Sequence, residues 1–343
     1  MQSMKPRVTI YDVANRAKVS TSTVSRVLNG SPSVAPSTRE RVREVMDTLR
    51  FRPHRGARAL AYTRAHSVVA IAIPTFTTPF HNELLTGVRN ILADSDQDLL
   101  LFDLGTKSPL RQLLHKLEAG TVDGLLLAGM PVDPKLAEEL KALRAPVVLV
   151  GHHHTDFDCY YWDNLSGAYE AATHLVAQGH KRIGMIRAYT DSYFQSLRIN
   201  GYRKALADEG ISFSPKWIQS GDTKLHAGFS EEHGFEAMQR ILALDPPVTA
   251  VFACSDVQAI GAWKAIRDAG LKVPDDVALV GYDDLRTSTY IGLSSVAQNM
   301  ILTGELAASR LLFRLKNPKT PDRVDHRIVP RLMERSSSTV SHN

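Results

Sequence analysis

The sequence predicts an α/β protein: a small head of three helices, a short basic joint, and a body of two doubly wound parallel-sheet subdomains. Charge is the first observation behind this. Residues 1–64 hold thirteen Lys and Arg against four Asp and Glu, a net charge of +9, while the remainder carries −4 and the whole chain +5. Periodicity is the second: short amphipathic helical stretches follow one another in the basic segment, and from Val68 onward apolar runs of strand length alternate with helical ones. Size is the third, because 343 residues at 43% hydrophobic and 22% charged content exceed one ordinary domain and can bury large cores.

Thr9 and Asp12 form an N-cap pair for a first helix whose apolar face is Val13, Ala14 and Ala17. After "KVS", Ser20 caps a second, with Val24, Val27 and Leu28 inward and Asn29-Gly30 closing it. Ser37-Thr38-Arg39-Glu40 has the pattern of a capping box for a third, striped by Val42, Val45, Met46 and Leu49. Two helices joined by a short turn, the second polar on its outer face, describe a helix-turn-helix, whose second helix enters the DNA major groove by its N-terminal end. That points Thr21, Ser22 and Thr23 outward, with Ser25 and Arg26 one turn later. Hydroxyls reach phosphates or base edges, and an arginine fork matches guanine O6 and N7. A basic head on a near-neutral body implies the same polyanionic partner. Beyond Pro53, "HRGARALAYTR" is basic, contains Gly56 and is too short for a stable isolated helix, so it is expected to order on DNA.

In the body, "VVAIAI", "LLLFDL", "GLLLAG" and "PVVLVG" form one strand series and "RIGMIRA", "TAVFACSD" and "VALVGYDD" a second, with helices beginning near Ser166, Ser192, Gly228 and Asp256. Ligands of such folds bind beyond the carboxyl ends of the strands. The residues there include the segment Thr75 to Phe80, Asp103, His152 to His154, Asp163-Asn164, Arg187, Ser255-Asp256 and Tyr282 to Asp284. Carboxylates, hydroxyls and flat rings together are the chemistry of a sugar site. Strand-end Asp and Ser also cap the next helix, an alternative that stays open for Asp163 and Asp256.

Adjacent histidines in an extended loop point to alternate sides, and no distant ligand pair completes a site, so no metal is expected at His152 to His154. No glycine-rich phosphate loop, G-x-S-x-G elbow or metal pair occurs, which argues against an enzyme; no cofactor is expected. Cys159 and Cys254 match no disulfide or metal spacing and are expected to pack in a reducing compartment. With no run of about 18 apolar residues and no signal segment in "MQSMKPRVTIYDV", a cytoplasmic protein without membrane attachment is expected. The tail "RSSSTVSHN" lacks leucine heptads, so no tetramerising coiled coil is expected.

The stretch "VTIYDVANRAKVSTSTVSRVLNGSPSVAPSTRERVREVMDTLRFRPHRGARAL" resembles the N-terminus of the lactose and galactose repressor family. The resemblance continues through "TTPFHNELLTGV", "DNLSGAYEAATHLVAQGHKRIGMI", "RINGYRKAL", "FACSDVQAIGAWKAIRDAGLKVPDDVALVGYDD" and "SVAQN". It implies a homodimer on a palindromic operator, with an effector-binding core similar to periplasmic sugar-binding proteins. By this resemblance Thr21 and Ser22 take the positions that vary with operator sequence, Arg26 reads a base, and Leu60 is the hinge side chain pushed into the minor groove. Arg198, Asp283 and Gln298 take effector positions. The sequence departs from the pattern at Lys18 (usually Gly), Phe51 (Tyr), His54 (Asn), Thr78 and Ser255 (both Asn), Thr223 (near a common stacking residue) and the loop "GHHHTDFDCYYWD".

The residues expected at DNA are Thr9 and Tyr11; Ser20, Thr21, Ser22, Thr23, Ser25, Arg26 and Asn29; and His54, Arg55, Ala57 and Leu60. Those expected at the effector are Phe76, Thr78, Phe80, Asp163, Arg198, Ser255, Asp283 and Gln298. The expected divisions are a head at 1–52, a hinge at 53–65, one subdomain of 66–164 with 294–325, and another of 165–293 with 326–343. The effector is expected to be a sugar or sugar derivative; a purine or nucleoside is the alternative.

Overall fold

Helices α1 (Ile10–Ala17), α2 (Thr21–Leu28) and α3 (Pro36–Thr48) form the head in a computed structural model that describes residues 8–28, 31, 33–49, 51, 67–105, 109–118, 120–143, 145–189 and 192–339. Their apolar stripes meet in one small core of Val13, Ala14, Ala17, Val24, Val27, Val34 and Val42, against which Phe51 packs. The ring in place of the usual tyrosine is thus a core group, and the Phe51 amide donates to the Met46 carbonyl at 2.9 Å. At the start of α1 the Thr9 amide and hydroxyl both donate to the Asp12 carboxylate at 2.7 Å, which holds that carboxyl below its ordinary pKa. The third helix corrects the expected capping box: it begins at Pro36, with Ala35 at the cap position and Ser37 already inside the first turn. Proline's fixed φ and missing N–H suit the first helical position, where that donor has no partner in any case.

Lys18 closes α1 in the left-handed region, at φ 50° and ψ 48°. A side chain there costs about 1 kcal/mol, and glycine removes the clash. Lys18→Gly is therefore expected to stabilise the head by up to about 1 kcal/mol, read as a higher melting temperature; an unchanged or lower one refutes the strain.

The first sheet of the body contains β1 (Ser67–Ile73), β2 (Gln97–Asp103), β3 (Gly124–Ala128), β4 (Val147–Val150), β5 (Asp158–Trp162) and β11 (Asp325–Ile328). Its order is β11-β5-β4-β3-β1-β2, parallel throughout. Its helices are α4 (Pro79–Leu92), α5 (Pro109–Glu118), α6 (Pro134–Ala142) and α12 (Met300–Lys316). The second sheet contains β6 (Ile183–Ile186), β7 (Ile218–Gln219), β8 (Ala250–Ala253), β9 (Ala278–Asp283), β10 (Ser294–Ala297) and β12 (Arg331–Met333). Its order is β12-β10-β9-β8-β6-β7, with β12 alone antiparallel. It carries α7 (Asn164–Ala177), α8 (Tyr193–Asp208), α9 (Glu231–Leu242), α10 (Asp256–Asp268) and α11 (Arg286–Ile291). Each sheet has an apolar cluster on both faces, as a doubly wound fold requires.

Several helices after strands start on a side-chain cap. Asp163 Oδ1 accepts from the Ser166 amide at 3.1 Å, Ser192 Oγ from Gln195 at 3.2 Å, Ser230 Oγ from His233 at 3.3 Å and Ser255 Oγ from Gln258 at 3.3 Å. Helices α4 and α12 cross closely because Gly87 faces the Ile301 carbonyl and Gly304 the Leu84 carbonyl, where a Cβ would strike backbone.

Sheet membership moves the expected crossings. Ser294–Ala297 pairs with β9 in the second sheet, so the return comes after Ala297, and Asp325–Ile328 pairs with β5 in the first, so the last crossing follows Ile328. Both segments lack an apolar signature. Ser294 and Ser295 are nevertheless fully buried, because Ser294 Oγ donates to the Arg335 carbonyl at 2.9 Å and Ser295 Oγ to Asp256 Oδ1 at 2.5 Å. The tail residues Ser337 and Ser338 are buried against the second sheet, where Ser337 Oγ donates to the Leu279 carbonyl at 2.6 Å and His174 Nε2 and Ser338 Oγ lie 2.8 Å apart. Cys159 and Cys254 are free and buried, and burial pushes their thiols up to about 11 and about 12. Among the described residues no helix is long and apolar enough to cross a membrane.

Candidate effector cleft and nucleic-acid interface

Four of the expected effector residues, Phe80, Arg198, Asp283 and Gln298, are brought into one connected group, with Ser255 and Thr78 beside it in the chain. At the carboxyl ends of β8 and β9, the Arg198 guanidinium lies with its carbon 3.8 Å from the centroid of the Tyr282 ring. Its Nε donates to Asn164 Oδ1 at 2.9 Å and its Nη1 to the Cys254 carbonyl, immediately before Ser255. Asp283 is buried at φ 116° and accepts a 2.6 Å hydrogen bond from Gln298 Nε2. Burial pushes its carboxyl well above the ordinary carboxylate range, and the Arg198 cation pulls it back. The Gln298 carbonyl in turn accepts from Trp162 Nε1 at 2.8 Å, and Trp162 packs edge-on to Phe80 with ring centroids 5.9 Å apart. A polar line thus runs from the first unit, through the crossover at Gln298, to the buried charges of the second.

Thr78 is buried, with Oγ1 2.6 Å from His81 Nδ1. Phe76 is 47% exposed. Asp163 faces its own helix and Arg327, with Oδ2 accepting from Ser166 Oγ and Arg327 Nη2. Asp256 is likewise a structural group: Oδ2 accepts from the Leu285 amide at 2.7 Å and from Ser288 Oγ at 2.6 Å, while Ser295 holds Oδ1. Burial pushes it up to about 7 against those three donors.

Sequence reasoning missed His81, Tyr193, Phe194 and His226, and saw His152 only as a failed metal ligand. The signal that could have found them is position: His81 lies in the first turn of α4, and Tyr193 and Phe194 open the helix that carries Arg198. Segment 226–228 is also unexpected, with His226, Ala227 and Gly228 at φ 49°, 59° and 92°. Gln258 Nε2 donates to the Gly228 carbonyl at 2.7 Å and the Tyr189 amide to Ala227 at 3.0 Å, which fixes this strained backbone beside the cleft.

His81 is held neutral: burial first, then the nearby His226, lowers its pKa to about 4, against a smaller opposing effect of Asp103. A lowered histidine contributes stability in full above its unfolded pKa of 6.5, and loses it as pH falls towards 4. The body is therefore expected to lose up to about 3 kcal/mol through this group between pH 6.5 and 4. His81→Gln should flatten that part of the melting-temperature profile, and an unaltered profile refutes the assignment.

In the head, Ser20 Oγ accepts from the Thr23 amide at 3.2 Å and lies 2.7 Å from Ser22 Oγ and 2.9 Å from Thr23 Oγ1. The hydroxyls of Ser20, Ser22 and Thr23 are therefore one hydrogen-bonded set at the start of α2. Ser22, Arg26, Thr9 and Tyr11 are exposed, Thr21, Thr23 and Ser25 half-buried, while Val24 and Val27 face the core. Arg39 Nη2 donates to the Ser31 carbonyl at 2.9 Å and holds the segment after α2. Asn29, His54, Arg55, Ala57 and Leu60 lie outside the described residues.

Comparison with known proteins agrees with both halves. Residues 9–54 match the bacterial regulatory proteins of the lacI family, and residues 172–338 match the periplasmic binding protein-like domain. The ribose operon repressor of Haemophilus influenzae is 33% identical over 316 residues, covering 90% of this chain and 92% of that one. The structure of the transcriptional regulator CelR in complex with cellobiose superposes with a TM-score of 0.69 at 31% identity, covering 96% of this chain and 100% of that one. The lac repressor dimer bound to operator and the anti-inducer ONPF gives 0.71 at 26% identity, covering 98% and 100%. A helix-turn-helix head on a two-sheet ligand-binding body defines a DNA-binding transcriptional repressor rather than an enzyme. The chain belongs to the lacI family of bacterial regulatory proteins.

Proposed function

We propose that this repressor is a cytoplasmic homodimer whose affinity for a palindromic operator is set by a sugar or sugar derivative bound between its two α/β units. The observation that carries the effector reading is the buried cluster of Arg198, Tyr282, Asp283 and Gln298 at the strand ends. Guanidinium, carboxyl and amide together donate to and accept from vicinal hydroxyls, and Phe80 and Trp162 supply aromatic surface on the other side of the crossover. Relatives support it, since one is named for ribose and a structural neighbour holds cellobiose. Thr78 and Ser255 complete the proposed pocket. Asp163 acts through α7, and Phe76 would close on ligand from the rim.

On the DNA side, Arg26 reads a base and Thr21 and Ser22 select the operator, with Thr9, Tyr11, Ser20, Thr23, Ser25 and Asn29 on phosphates and flanking edges. His54, Arg55, Ala57 and Leu60 belong to the proposed hinge at 53–65, between the head and the two units. Closure of the units around ligand would alter hinge spacing in the dimer and so the fit to two half-sites. Thermal-shift screening of monosaccharides, disaccharides, sugar phosphates and purines tests the effector class. Stabilisation by a saccharide is expected; stabilisation by purines alone refutes it.

A further inference from the structure

Between the two units, at the N-terminal end of α8, three rings meet. His152, just beyond β4, lies 5.9 Å between ring centroids from Tyr193 and 6.2 Å from Phe194, and those two are 5.9 Å apart. The interplanar angles are steep, 75°, 80° and 67°, so the rings are walls of a corner and not the parallel faces of a slot. Phe194 precedes Arg198 by four residues, which stacks the two on one face of α8, a turn apart. Tyr193 is 61% exposed, whereas His152 Nδ1 is buried and has no hydrogen-bond partner. Burial, then the neighbouring His153 and His154, lowers the His152 pKa, which favours a neutral ring with one donor and one acceptor nitrogen.

We infer that His152, Tyr193 and Phe194 form an outer subsite for a second, puckered ring of a saccharide, so that the effector is a disaccharide or glycoside and not a single sugar. This rests on the sugar reading above and extends it outward from Arg198. An aromatic wall covers the C–H face of a pyranose, and the exposed Tyr193 adds a hydroxyl that can donate to or accept from the sugar's own. A planar base prefers to lie between parallel faces, and these rings offer none.

The test is calorimetric titration of the full-length protein with D-glucose, D-galactose and D-ribose, with cellobiose, maltose and lactose, and with adenosine. At least one disaccharide is expected to bind tenfold or more tightly than its component monosaccharides, equivalent to about 1.4 kcal/mol. Tyr193→Ala and Phe194→Ala should each cut that ratio below threefold; the exposed Tyr193 keeps the test valid if Phe194→Ala fails to fold. Monosaccharides binding as tightly as every disaccharide, or variants that weaken both classes equally, overturn the subsite alone. Failure of every saccharide to bind, with or without adenosine binding, overturns the sugar reading and the subsite with it.

Discussion

Arg26→Ala is expected to erase the preference of this repressor for its operator while leaving weak, salt-sensitive binding to any duplex. Arg26 is exposed on α2, one turn beyond the Ser20, Ser22 and Thr23 hydroxyl set, and its neighbours Val24 and Val27 are core residues, so truncation removes a contact without disturbing the fold. A bidentate arginine–guanine pair is worth about 1–3 kcal/mol of discrimination, hence about 2–6 kcal/mol over two half-sites. The proposed contact is to a base and not to a phosphate, so the slope of log affinity against log salt should barely change. Fluorescence anisotropy with a duplex recovered by genomic selection, against a scrambled one at several salt concentrations, reads both quantities. An unaltered ratio between the two duplexes would remove Arg26 from the reading role.

Arg198→Ala is expected to raise the effector concentration needed to shift operator binding by at least about 100-fold, from the loss of charged hydrogen bonds worth about 3 kcal/mol. The cost extends beyond the ligand. Arg198 satisfies Asn164 Oδ1 and the Cys254 carbonyl and is the cation that offsets the burial of Asp283, so its removal drives that carboxyl further towards its neutral form. Arg198→Lys separates the two effects: it keeps a cation near Asp283 but cannot reproduce the fork, so stability should return more fully than response. A response of wild-type sensitivity in Arg198→Ala, measured by operator release or recruitment across a ligand titration, would move the effector site elsewhere.

The head was legible to the level of single residues because its signals are local. Caps and a stripe of valines act within a few residues of one another, and Val13, Ala17, Val24 and Val27 are buried where their spacing put them. The start of α3 was the exception, since Pro36 outcompeted the Ser37 box. In the body the apolar strands were equally plain. Strands β10, β11 and β12 were not, because "SSVA", "DHRI" and "RLM" have no alternation to follow, and only the pairing of β10 with β9, of β11 with β5 and of β12 with β10 makes them strands.

The same division runs through the cleft. Resemblance to the lactose and galactose repressor family singled out Arg198, Asp283 and Gln298, and the structure brings them together, Arg198 from within α8 and the other two from the ends of β9 and β10. The sequence left open whether Asp163 and Asp256 meet ligand or cap helices; in the structure Ser166 and Arg327 engage the first, while Leu285, Ser288 and Ser295 engage the second. It also gave no hint that His152 would face Tyr193 and Phe194 across the two units. Fold class and the three helices of the head were thus determined by sequence, because strand-length apolar runs and helical stripes are spacings within one segment. The partners of Asp163 and Asp256, and the meeting of His152 with Tyr193, depended on segments some 30 to 165 residues apart coming together, and only the packed structure brings them there.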